Sequence, residues 1–81
     1  MKTRKNLYGS KNIIGKSVER LRKEKGIKQK DFIAQMQVMG CDMNPTSYSK
    51  LEGQTRSATD KEVFIIAKIL NVSIEELFEQ L

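Results

Sequence analysis

The chain has no histidine and no tryptophan, and only one cysteine and one proline, in 81 residues. Without histidine, Ser-His-Asp and Cys-His catalysis and most zinc sites are excluded. Cys41 has no partner for an internal disulfide and no imidazole to activate it, so it reads as a small apolar filler. The glycines Gly9, Gly15, Gly26, Gly40 and Gly53 stand singly, so no loop is built to cradle a nucleotide phosphate. No apolar run approaches the roughly 20 residues of a membrane helix; the longest is Val63 to Ala67, with Ile69-Leu70 just beyond it. The N-terminus is basic but lacks the apolar segment of a signal peptide, so a cytoplasmic protein is expected. The paired carboxylates Glu75-Glu76 fall near the start of a helix, where they favour its dipole. These absences predict neither enzyme, metal nor cofactor, and no small-molecule site is evident.

What the chain does have is unevenly distributed charge. Residues 1 to 30 hold eleven Lys and Arg against two Glu, a balance of +9, and residues 31 to 81 carry −4, for a net +5. A basic half attracts a polyanion, with nucleic acid the first candidate. A solubilising basic tail would give the same imbalance, since Lys2, Arg4 and Lys5 lie at the very end.

The apolar pattern is helical throughout, with no strand alternation and no internal repeat. Residues 1–11 read as a basic arm, in which Leu7 and Tyr8 can tack onto a body formed by residues 12–81. A first helix is expected from Asn12, with Ile14, Val18 and Leu21 on one face and Gly26 as its stop. A second should run from Lys28 to Met39 on a core stripe of Phe32, Ile33, Met36 and Met39, stopping at Gly40. Thr59 with Glu62, and Ser73 with Glu76, have the spacing of two capping boxes. They open a fourth helix running to Leu70, closed by Asn71, and a fifth running to about Leu81. The expected fold class is all-α, five helices on one small core.

The third helix is the most informative stretch. Asn44 is a good N-cap, Pro45 suits the first helical position, and Gly53 stands where a helix can stop. Tyr48 and Leu51 are the large apolar residues inside it and define one buried stripe. Opposite them lie Thr46, Ser49 and Lys50. Small donors and acceptors with one long cation suit insertion into the major groove of DNA. An ordinary polar surface helix fits that stretch equally well when it is read in isolation.

The ordered set Ile14-Gly15, Leu21-Arg22, Gly26-Ile27-Lys28-Gln29, Phe32 and Tyr48-Ser49-Lys50-Leu51-Glu52-Gly53 resembles the phage-repressor-like helix-turn-helix family, often called XRE. The tail Ile66 to Phe78 resembles that family's last two helices. The resemblance covers residues 14 to 78. It implies a repressor-like five-helix domain in which helices two and three form the helix-turn-helix and the third enters the major groove. It places DNA contacts at Gln29, Pro45, Thr46, Ser49 and Lys50, and Arg56 in a loop that usually touches phosphate. Gln29 and Asn44 would bond phosphate oxygens, Lys28 and Arg56 would add charge, and Thr46, Ser49 and Lys50 would read bases. The chain departs from the family in three places. The link between the central helices is longer, Ile33 stands where a small residue is usual, and Lys28 replaces a Ser or Thr cap. A subgroup with a lengthened second helix is the best match.

Two further expectations follow. Glu52 sits beside Leu51 at the negative end of the third helix and needs a cation; Arg22 lies next to Leu21, and the resemblance also places this Arg and Glu in contact. The fourth helix is apolar nearly all round, so Phe64, Ile65 or Ile69 needs a cover beyond the domain core. Either the arm or a second copy could supply it, and a homodimer suits a reader of two half-sites. The implied function is sequence-specific binding of double-stranded DNA by a small transcriptional regulator, in the repressor sense. The alternative is a protein-interaction module on the same fold, such as an antitoxin or anti-repressor.

Overall fold

In the computed structural model, residues 10–79 are described and carry five helices and no strand. These are α1 (Gly15–Glu24), α2 (Gln29–Val38), α3 (Pro45–Glu52), α4 (Asp60–Leu70) and α5 (Ile74–Leu77). The expectations for Lys2, Arg4, Lys5, Leu7, Tyr8 and Leu81 lie outside the described residues. The order and number of helices agree with the sequence reading, but several boundaries and burials do not.

Both capping boxes form. The Thr59 and Ser73 side chains accept from the backbone N–H of Glu62 and Glu76, whose carboxylates return to the cap N–H. Asn44 caps α3 by accepting from Ser47 N at 2.9 Å, with Pro45 at the first position. Lys28 precedes α2 without a side-chain cap bond, since an ammonium has nothing to accept with. Helix α1 begins at Gly15 rather than Asn12. Asn12 instead acts from outside, its Oδ1 accepting from the amides of Ile14 and Gly15 at 3.1 and 2.8 Å.

Four of the helices end on one device. The amides of Ile27, Cys41, Thr55 and Val72 reach back five residues to Arg22, Met36, Lys50 and Ala67. In each turn the residue before that amide is left-handed: Gly26, Gly40, Gln54 and Asn71. In the third turn the helix stops at Gly53, as the sequence implies, but Gly53 is right-handed and the left-handed position falls to Gln54, at φ 62°. That conformation costs a non-glycine residue, and tertiary bonds hold it. The Gln54 side chain donates to Asn12 O at 2.8 Å, and its carbonyl accepts from Lys11 N at 2.9 Å.

The core joins all five helices. Helix α4 packs against α1, α2 and α5, and α3 packs between α1 and α2. Phe32 and Tyr48 meet across α2 and α3 with ring centroids 5.4 Å apart, and Met36, Leu51, Ile66 and Leu77 fill the space around them. Because α4 is surrounded on several sides, Ile65 is buried within the domain and needs no second cover, Ile69 is half-buried, and Phe64 remains exposed. Met39 is not the last member of the α2 stripe. The chain turns at Met39-Gly40, and that side chain, like Val38, faces out. Helix α5 stops at Leu77 rather than near Leu81, and Phe78 lies in the turn that follows. Cys41 is buried, and desolvation pushes its thiol above the usual range, in keeping with a filler.

Candidate nucleic-acid interface

The outward face of α3 consists of what its core does not need. Tyr48, Leu51 and Glu52 are buried, while Pro45, Thr46, Ser49 and Lys50 are exposed. Asn44 is exposed at the head of the helix, its carbonyl side committed to the cap. Eight residues of helix thus present a short face of hydroxyls and one ammonium, free of large apolar groups.

The orientation of that face is set by Glu52, only 3 % exposed at the last position of α3. A carboxylate at a helix C-terminus faces the negative end of the dipole, so it needs donors and a cation. It has both. Arg22 of α1 donates from Nε to Oε2 at 2.7 Å and from Nη2 to Oε1 at 3.2 Å. Tyr48, one turn earlier, donates its hydroxyl to Oε2 at 2.5 Å, and Gln29 of α2 donates Nε2 to Oε1 at 3.0 Å. The remaining Arg22 arm reaches Ile27 O at 2.8 Å. One carboxylate therefore fastens α1, α2 and α3 to one another. The bond to Glu52 raises the pKa of Arg22. Burial, and then the bond to Glu52, raises that of Tyr48, so the phenol stays a donor.

A second polar cluster fixes the other side of α3. Asn12 Nδ2 donates to Leu51 O at 3.1 Å and to Arg56 O at 2.8 Å. Gly15 packs against the same end of the helix. A Cβ there would lie under 3.0 Å from the carbonyl oxygens of Leu51 and Glu52. Helices α1 and α3 can approach this closely only because position 15 has no side chain.

The site residues inferred from the sequence do not all stand alike. Lys28, Asn44, Pro45, Thr46, Ser49 and Lys50 are exposed. Gln29 is half-buried and turned to Glu52. Arg56 is drawn inward by two bonds to Glu62, at 3.0 and 3.2 Å, so its charge is offset in the free protein. Sequence reasoning missed Asn12, Gln54 and the Tyr48 hydroxyl as groups holding the face, and Glu62 as the partner of Arg56. Only Glu62 carried a signal, as a capping-box carboxylate near an arginine.

The small helical domain, with its third helix clamped and a polar face turned outward, has the arrangement of a helix-turn-helix protein. The helix-turn-helix family profile matches residues 18–77, from the middle of α1 through α5, and the chain belongs to that family. Its class is that of XRE-like DNA-binding regulators. No curated protein and no solved structure matches the chain. No helix among the described residues is long and apolar enough to cross a membrane.

Proposed function

We propose that the protein is a sequence-specific reader of double-stranded DNA, acting as a small transcriptional repressor with α3 in the major groove. The observation that carries this reading is the exposure of Thr46, Ser49 and Lys50 on a short helix whose opposite face is locked by Tyr48, Leu51 and Glu52. Lys50 has the reach for guanine O6 or N7, and the Thr46 methyl suits a thymine methyl. The amides of the first turn of α2 have no side-chain cap, and exposed Lys28 stands beside them. Phosphate oxygens suit that end of the helix. Gln29 and Asn44 add neutral donors, and Arg56 contributes through its loop.

A twofold dimer would place two α3 helices about one DNA turn apart. Phe64 and Phe78 are the exposed aromatic side chains available on and beside α4 and α5. The second reading, a protein-interaction module of the antitoxin or anti-repressor kind, is favoured by the exposed apolar residues Val38 and Met39 at the end of α2. Selection of bound sites from a random duplex pool separates the two. A DNA reader enriches a defined site and loses affinity steeply as salt rises; an interaction module enriches nothing.

A further inference from the structure

Gln29 occupies the first position of α2 and is half-buried. Its Nε2 donates to Glu52 Oε1 at 3.0 Å. A carboxylate only accepts, so the amide nitrogen faces Glu52 and the amide carbonyl faces away. Nε2 carries two hydrogens, and Glu52 takes one of them. Because the amide is planar, holding the first N–H restricts the direction of the second, which makes no bond to the described residues. Glu52 is itself buried, with its oxygens held by Arg22 and by the Tyr48 hydroxyl. A phosphate oxygen, like a carboxylate, only accepts, so it can be met by that remaining hydrogen and not by the Gln29 carbonyl.

We propose that Glu52 is a positioning residue for the DNA backbone contact of α2. It holds the Gln29 amide so that the second Nε2–H points at a phosphate. This rests on the DNA-binding function proposed above. An unheld glutamine would lose its rotamer freedom on meeting DNA, whereas this one has lost it in folding. The buried Arg22–Glu52 pair and the exposed end of α2 are thereby one device, and the ion pair acts on binding through a neutral side chain.

The test is a double-mutant cycle on binding to a random-sequence 20-base-pair duplex at low salt, since phosphate contacts carry no sequence information. All variants are measured at a temperature where circular dichroism shows them folded. Gln29→Leu is expected to weaken binding about tenfold, with the salt slope unchanged because no charge is lost. Glu52→Gln should weaken binding by a similar factor alone, and by nothing further in the Gln29→Leu background. Val18→Ala, a core change far from the contact, should lower stability and leave affinity as it was. Additive losses from Glu52→Gln and Gln29→Leu would overturn the proposal, as would Gln29→Leu binding like the parent protein.

Should Glu52→Gln fail to fold, nitrogen-15 NMR of the unaltered protein decides. One Gln29 Nε2 proton should be displaced in the free protein, and the other should move only when the duplex is added. Two protons at the shifts of free glutamine would contradict it. If the unaltered protein binds no duplex at any salt, the DNA reading falls and this inference with it. If duplex binding persists and only the cycle or the spectrum fails, this inference alone falls.

Discussion

Asn12 donates its side-chain amide to the carbonyl of Leu51 at 3.1 Å, across 39 residues of sequence. The same side chain caps the start of α1 and holds Arg56 O, and the backbone carbonyl of Asn12 accepts from the Gln54 side chain. A residue just ahead of α1 is therefore the one that seats the far end of α3. Asn12→Ala would leave several buried backbone groups without partners, at about 1–3 kcal/mol each. Gly15→Ala would push a methyl group into two backbone carbonyls that cannot rotate away, and should cost at least the roughly 1–3 kcal/mol of an overpacked core. Urea unfolding of both variants measures this. A parent-like midpoint for Gly15→Ala would show that α1 and α3 are not in close contact.

The pairing of Arg22 and Glu52 is buried on both sides, at 8 and 4 % side-chain exposure. Arg22→Ala should destabilise the domain by about 3–5 kcal/mol, because the carboxylate stays behind without its cation. Replacing both residues by methionine should recover much of that loss, although the Tyr48 hydroxyl and Gln29 would still lack their acceptor. Denaturation of the single and double variants checks the order of stabilities. A single variant as stable as the parent would mean that the pair is solvated.

Tyr48 ties stability to alkaline pH. Its pKa is raised in the folded protein, so the native state holds that proton where the unfolded chain has released it. The contribution is fully present below the ordinary tyrosine pKa of about 10 and is lost as pH climbs above it, by up to about 1.4 kcal/mol per pH unit. Cys41, whose pKa is also raised, acts in the same direction from about pH 9. Thermal melts between pH 8 and 11 should show the fall, and in Tyr48→Phe the part above pH 10 should flatten. An identical alkaline profile in the two proteins would rule out Tyr48 as the source.

Self-association is the prediction that rests on α4. Phe64 is 56 % exposed, with the Lys68 ammonium 5.3 Å from its ring centroid. If a second copy covers it, sedimentation at micromolar concentration should show a dimer, at the latest when duplex is present. Phe64→Ala should then reduce both dimer and affinity for a two-half-site duplex. A monomer under both conditions, with Phe64→Ala binding like the parent, would leave the domain as a single reader.

The elements set by local chemistry were legible in the sequence. Asn44-Pro45, Thr59 with Glu62, Ser73 with Glu76, and Asn71 each act over one turn, and each stands where the spacing placed it. The burial of Tyr48 and Leu51, and so the outer face of α3, followed from helical period alone. What escaped was decided by distant partners. Gln54 is left-handed because residues 11 and 12 bond it, and no pattern within 54's own neighbourhood announces that. Ile65 is covered because α4 lies among α1, α2 and α5. Met39 faces out because the chain leaves α2 one residue earlier than its periodicity implied.

The central claim is that α3 reads bases through its exposed face, and Lys50 tests it most directly. On the site selected from a random pool, Lys50→Ala should weaken specific binding by about 1–3 kcal/mol and relax the preference at one base pair. Non-specific affinity should fall only slightly, with the salt slope close to that of the parent. A uniform loss with the site preference intact would assign Lys50 to a phosphate and contradict base reading by α3.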